Sequence, residues 1–248
     1  MFSKKATMAV VSAAIVLTAG LASAQKPKSN KEVEAINAAI QATDPALRIK
    51  AVDAALQQFA DTEFKPMLLT MQVGAAADMN APDKVIIYGE NALKTDPKNY
   101  QVQFWMAMAT VQGTGQFDLD KEEKLGRAEK LANDGLKNLS TATKPNPQLT
   151  DAQWAEGTKT LEAQGHEALG LIANLRKKYD VAIKEYETSV ALAPEATTQV
   201  RLAGAYNNGG RPGDALKLAD QVLAMPNLHP AVKQVAQAEK DKAAKAAK

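Results

Sequence analysis

The sequence feature that most constrains the fold is a spacing of small residues and prolines that recurs along the chain. Ala182 and Ala215 are 33 residues apart, and Pro194 and Pro226, which follow them, are 32 apart. Around each alanine, apolar residues recur at steps of three and four, a pattern typical of helices with one buried face. A period of about 34 residues that holds two helices indicates stacked helix hairpins. The spacing therefore predicts an all-α solenoid of antiparallel helix hairpins.

The recurring residues have a packing role. Gly170 precedes Ala182 by twelve residues, and Ala203 precedes Ala215 by the same distance. Small side chains at these positions let the two helices of a hairpin approach closely, whereas large ones would force them apart. The closing proline ends the second helix, because it has no backbone N–H and disfavours helical geometry in the residue before it.

Weaker versions of the same pattern precede these two repeats. Residues 66–99 form a partial repeat, in which Val73 and Val85 replace the small residues and Gly89 stands at the position that Tyr186 holds in the later repeat. The unit that starts at Tyr100 is interrupted by an insertion at residues 113–118, and residues 30–60 are similar to a divergent leading repeat. In total, the chain is expected to form about eleven helices.

A polar stretch divides the chain. Ser, Thr, Pro and Asn dominate residues 140–150, which predicts a loop. Thr150 and Gln153 have the spacing of a capping box, so a helix is expected to start there and to run to about Lys178. The resulting organisation is a signal peptide at 1–24, N-terminal hairpins at 25–139, a linker loop at 140–150, C-terminal repeats at 151–238 and a basic Ala/Lys tail at 239–248.

The repeats resemble the tetratricopeptide-repeat (TPR) family. The likeness is good over residues 163–196, which carry Leu169-Gly170, Ala182, Tyr186 and Pro194 at the family's positions. The likeness is fair over the following repeat, residues 196–229. The chain also resembles exported bacterial TPR proteins, which mostly lack an assigned activity. The resemblance implies a superhelix whose concave side is lined by the first helix of each hairpin and binds a peptide or a helix of a protein partner.

By the geometry of that family, a candidate partner-binding groove can be named. Aromatic and methionine side chains are favoured at surfaces that contact peptides, although the same side chains also fill cores, and the sequence leaves the two alternatives open. Arginine and asparagine side chains could hold a peptide backbone or a carboxylate. The candidate residues are Met67, Met71, Phe104, Trp105, Met108, Asn174, Arg201, Asn207 and Asn208. Some cytosolic relatives clamp a terminal carboxylate with lysines that this chain lacks, so that activity is not transferred.

The N-terminal residues have the features of an export signal. Lys4 and Lys5 precede an apolar stretch over residues 6–21, and Ala22-Ser23-Ala24 matches a signal-peptidase site. The stretch is shorter than the roughly 20 apolar residues that cross a bilayer, so a retained anchor is the weaker alternative. We expect export to the periplasm or the medium, with no integral membrane segment after cleavage. Without cysteine the protein is not expected to be a lipoprotein.

Charge and residue content exclude several classes of function. Cleavage would remove two of the 30 Lys and Arg, which leaves a balance with the 28 Asp and Glu, so nucleic acid is not expected as a partner. Chains without Cys lack thiolate chemistry and cysteine metal sites. His166 and His229 are 63 residues apart, and the turn at 209–213 lacks the Gly-Lys-Ser/Thr ending of a phosphate-binding loop. No catalytic, metal or cofactor site is therefore predicted.

These observations favour a non-enzymatic adaptor or scaffold of the cell envelope that binds a protein or peptide partner in the groove. Two alternatives remain from the sequence. One is a structural protein that self-associates through its terminal hairpins. The other is an enzyme with an unrecognised site.

Overall fold

The chain folds into helices joined by short turns. The computed structural model of the protein describes residues 26–146 and 148–246, and within these ranges it has eleven helices and no strand. The helices are α1 (Asn30–Gln41), α2 (Pro45–Gln58), α3 (Lys65–Asp78), α4 (Pro82–Thr95), α5 (Tyr100–Gln112), α6 (Lys121–Ser140), α7 (Asp151–Leu175), α8 (Tyr179–Leu192), α9 (Ala196–Asn208), α10 (Pro212–Leu223) and α11 (Pro230–Ala246). The all-helical hairpin architecture predicted from the repeat spacing is confirmed.

Ten of the helices form five hairpins, α1–α2, α3–α4, α5–α6, α7–α8 and α9–α10, and α11 packs on the last one. The first helices of successive hairpins also contact one another, as α3 does with α5, α5 with α7, and α9 with α11. The odd-numbered helices therefore form one layer, which we call the inner layer. Stacking continues across the loop after α6, because α7 packs on both α5 and α6.

The turns repeat the period of the sequence. Three of the hairpins turn through a residue with positive φ at the same repeat position: Asn80 at 49°, Lys177 at 58° and Gly210 at 74°. After each of these residues, a backbone N–H reaches back to a carbonyl of the first helix, and this bond closes the turn. The bonds are Ala81 to Ala76 at 3.1 Å, Lys178 to Ala173 at 2.8 Å and Arg211 to Tyr206 at 2.8 Å. The left-handed residue Lys177 also explains why α7 stops at Leu175, earlier than predicted.

Glycines admit large side chains where helices meet. A Cβ added to Gly170 would lie 2.7 Å from the ring of Tyr186, so the close contact expected between these residues is present. In the second hairpin, Gly89 takes the place of the aromatic residue, and the side chain of Met106 on the next inner helix fills the space that a Cβ there would need. A neighbouring hairpin thus replaces the missing ring.

Two predicted helix starts have different outcomes. Thr150 accepts a hydrogen bond from Gln153 N–H at 3.2 Å, and Gln153 accepts one from Thr150 N–H at 3.0 Å, which is the predicted capping box. Asp120 and Glu123 have the same spacing and predict a cap for α6, but the Asp120 carboxylate pairs with Lys124 at 2.9 Å and caps no N–H. The lysine lies one turn into the helix and draws the carboxylate away.

The predicted signal peptide at residues 1–24 lies outside the described residues. In the part of the chain that is described, no helix has the length and apolar character needed to cross a membrane. The division of the chain into two groups of hairpins remains a prediction.

Candidate partner-binding surface

Helix α5 is enclosed by its neighbours on all sides except one. It packs against α3, α4, α6 and α7, and nine of its thirteen residues are buried. Trp105, Met108 and Gln112 are not buried, and they are three and four residues apart, so they lie on one face. The solvent-facing side of the central inner helix therefore has a tryptophan and a methionine at its middle, where a polar stripe would be ordinary.

The two apolar side chains on this face rest on small residues. Trp105 lies over Gly74 of α3 and joins the core cluster that contains Val73. Met108 packs on a cluster formed by three alanines, Ala107, Ala132 and Ala168. Both side chains remain half-buried, so each keeps part of its apolar surface in water.

The remaining predicted apolar residues divide between the core and the surface. Phe104 is 2% exposed and lies between Gly135 of α6 and Gly165 of α7, where an added Cβ would be 2.5 Å and 2.8 Å from its ring. Met71 is 6% exposed and belongs to the core beneath the first hairpins. Met67 is half-buried at the edge of that same core. The structure thus places Met71 and Phe104 in the core.

The predicted polar residues are engaged within the chain. Arg201 forms an ion pair with Glu167 of the preceding inner helix, and Thr198 donates a hydrogen bond to the same carboxylate at 2.7 Å. The side chains of Arg201 and Glu167 are 29% and 14% exposed, so the pair is partly shielded from water. Its main effect is to join α7 to α9.

Helix α11 engages the next two candidates. Asn207 donates to the backbone carbonyl of Glu239 at 2.9 Å and to its carboxylate at 2.8 Å. Lys242 donates to the side-chain oxygen of Asn208 at 2.6 Å. These contacts hold the last helix against α9, as the next inner helix of a solenoid would be held.

Two repeat-equivalent asparagines keep an unused acceptor. Asn174 and Asn207 are 33 residues apart, and the Oδ1 atom of each is buried without a hydrogen-bond partner among the described residues. An unpaired buried acceptor costs about 1–3 kcal/mol. Asn207 offsets part of this cost through the two hydrogen bonds that its amide group donates to Glu239.

The two histidines have structural contacts. Nδ1 of His166 lies 2.7 Å from the carboxylate of Glu185, which joins α7 to α8. Nδ1 of His229 accepts a hydrogen bond from Ala231 N–H at 3.3 Å, at the start of α11. Among residues 26–146 and 148–246, no three His, Asp or Glu side chains are grouped so that they could hold a metal ion.

Sequence reasoning missed one exposed feature, the loop between α5 and α6. It identified an insertion there but assigned no role to Phe117 and Leu119, which are 90% and 108% exposed. The available signal was Leu119, an apolar residue between two aspartates in an insertion that contains glycines.

This arrangement of helix hairpins is the fold of TPR proteins. The thermophilic TPR protein TTC0263 from Thermus thermophilus superposes with a TM-score of 0.57 and 16% identity, over 84% of this chain and 98% of that one. The MamA protein superposes with a TM-score of 0.52 and 14% identity, over 86% of this chain and 94% of that one. No family model matches the sequence, and no curated protein matches it. The similarity therefore shows the fold.

Proposed function

We propose that the protein is a non-enzymatic adaptor or scaffold of the bacterial cell envelope that binds a peptide or helix of a partner protein on its inner layer. The observation that carries the proposal is the face of α5 that its neighbours leave uncovered. This face presents Trp105 and Met108 to solvent although every other side of the helix is packed.

The energetics favour an apolar contact there. A tryptophan that becomes buried at an interface can contribute about 2–4 kcal/mol, and methionine adapts its shape to different partners. Trp105 is already held against Gly74, so little side-chain freedom remains to be lost on binding. Met67, at the edge of the first core cluster, extends the same kind of surface on α3.

The polar candidates play a smaller part in this proposal. Arg201, Asn207 and Asn208 already bind Glu167, Glu239 and Lys242, and a partner would have to displace those bonds. The Oδ1 atom of Asn174 has no hydrogen-bond partner among the described residues, but it is buried and therefore out of reach of a partner. We therefore place the contact on Met67, Trp105 and Met108, and assign Arg201, Asn207 and Asn208 to helix stacking.

Residues 1–24 support the location in the envelope. Their basic start, apolar stretch and Ala-x-Ala ending are those of a cleaved export signal. Determining the N-terminal residue of the protein isolated from its own cells tests this part of the proposal. A mature chain that starts at Gln25 supports export, and a chain that retains residues 1–24 in the cytosolic fraction contradicts it.

The binding proposal is tested by exchanging Trp105 for alanine. Partners are recovered by cross-linking the mature protein in its own cells and identifying what is attached, and their affinity is then measured with purified proteins. Loss of about 2 kcal/mol weakens affinity by roughly 30-fold. Trp154→Ala, which removes the other tryptophan, is the matched control and should bind normally. Unchanged affinity of Trp105→Ala, with its helical circular dichroism intact, contradicts the proposal.

A further inference from the structure

The connection between α5 and α6 is unlike the other hairpin turns. Each of the other four hairpins turns in three residues, whereas this one uses residues 113–120. The extra residues carry Phe117 and Leu119, which are the most exposed large apolar side chains in the described part of the chain. Keeping two such side chains in water has no benefit for the fold, because neither contacts a core cluster.

A polar network holds the loop in shape. Asp118 accepts a hydrogen bond from Gly115 N–H at 3.0 Å, and a Cβ on Gly115 would lie only 2.6 Å from the Asp118 carboxylate. Lys124 binds both Asp118 and Asp120, each at 2.9 Å. The hydrogen bond from Lys124 and that from Gly115 lower the pKa of Asp118, which favours the charged form of this carboxylate. Phe117 lies between Gly115 and Asp118 in the sequence, and Leu119 lies between Asp118 and Asp120, so both follow a backbone that this network holds.

The base of the loop is attached to the next hairpin. Lys121 donates a hydrogen bond to the carbonyl of Leu175, at the C-terminal end of α7, at 2.8 Å. Arg176 binds Glu122 at 3.0 Å and Glu129 at 2.7 Å. The loop is therefore attached to the α7–α8 hairpin as well as to its own hairpin, α5–α6. These contacts fix the position of its tip.

Charge and size restrict what can cover this tip. The charged side chains at the tip are Asp118, Asp120 and the Lys124 that binds both, a net charge of −1. Two such tips repel each other, and two side chains per copy cannot supply the interface of about 1,200 Å² that a stable dimer needs. The same charge disfavours an anionic lipid surface. A partner surface that is complementary to this tip is apolar at its centre and positively charged at its edge.

We propose that the loop at residues 113–120 is a second docking element, which inserts Phe117 and Leu119 into an apolar pocket edged by Lys or Arg on a partner protein. This contact is independent of the inner layer. A protein with both surfaces can bring two partners together, one on each.

The experiment uses the full chain and two designed helical peptides as probes. One has a leucine face bordered by lysines, and the other has glutamate in place of each lysine. We expect the lysine peptide to shift the NMR signals of residues 115–121, and we expect salt to weaken its binding. Phe117→Ser with Leu119→Ser should weaken that binding at least about tenfold, because both apolar side chains are removed from the contact.

Controls separate this site from other exposed apolar surface. Ile87→Ser, which removes a side chain that is 58% exposed on α4, should leave the shifts of residues 115–121 by the lysine peptide unchanged. Equal binding of both peptides, or equal binding by the double serine variant, overturns the proposal. Phosphatidylcholine–phosphatidylglycerol vesicles that shift residues 115–121 would show a lipid site instead. A dimer in sedimentation equilibrium that the double variant abolishes would show a second copy, and either result overturns it.

Discussion

The indole ring of Trp105 on α5 occupies the space that a side chain at Gly74 of α3 would fill. A Cβ added to Gly74 would lie 3.0 Å from Cη2 of Trp105 and 3.4 Å from Cζ3. The contact joins two successive inner helices and fixes how much of the tryptophan faces solvent. The proposed binding surface therefore depends on a glycine in the neighbouring hairpin.

Gly74→Ala should move Trp105. Alanine is favoured over glycine inside a helix by about 1 kcal/mol, but here the contact with the ring offsets that gain. Gly126→Ala in α6 is the matched control, because nothing lies within 4 Å of its Cβ position, and it should show the full gain in urea unfolding. In a Trp154→Phe background, only Gly74→Ala should change the tryptophan emission. Equal stabilisation by both changes, with unaltered emission, would contradict the contact.

Phe104→Ala should destabilise the protein by about 3–5 kcal/mol, because a fully buried ring is removed where α5, α6 and α7 meet. Gly135→Ala tests the same contact from the other side. Its added Cβ, 2.5 Å from Phe104 Cε1, forces the ring to move at a cost of about 1–3 kcal/mol. Both losses are measured as free energies of unfolding in urea, with Gly213→Ala, which has open space around it, as the control. If Gly135→Ala were as stable as Gly213→Ala, the proximity of the ring would be wrong.

The ion pair between Glu167 and Arg201 should show coupling in a double-mutant cycle. Each single change to alanine leaves a partly shielded charge without its partner. The losses of unfolding free energy in the two single variants should therefore add up to about 1–2 kcal/mol more than the loss in the double variant. Free energies of unfolding of the four proteins measure this difference, and high salt should reduce it only slightly because the carboxylate is 14% exposed. Strictly additive losses would mean that the pair does not join α7 to α9.

Tyr206 should make the protein sensitive to alkaline pH. Desolvation, together with the hydrogen bond that its hydroxyl donates to Glu187 at 2.7 Å, raises its pKa to about 12. The unfolded chain loses this proton near pH 10 and the folded chain only near 12, so the stabilisation is complete below about pH 10 and is lost between those values. Tyr206→Phe should flatten the fall in unfolding free energy over that window. An unchanged slope would show that other groups cause the fall.

The repeated hairpins could be predicted because their determinants are local. Gly170 and Tyr186 meet within one hairpin, and the turn residues Lys177 and Gly210 lie between helices that are neighbours in the sequence. The insertion after α5 was visible as an interruption of the period. Its role was not, because the exposure of Phe117 and Leu119 depends on where the neighbouring hairpins end.

The helical hairpins, their period and their turns could be read from the amino-acid order alone, since they follow from small residues, prolines and caps that act over about a dozen positions. Which apolar residues of α5 are core and which face solvent depends on the packing of other helices around it. That helix is apolar nearly all round, so its periodicity does not distinguish Phe104 from Trp105; only the positions of α3, α4, α6 and α7 do. The contacts of Arg201 and Asn207 with other helices also depend on the tertiary structure. Their partners lie 34 and 32 residues away along the chain, so local sequence patterns do not reveal them.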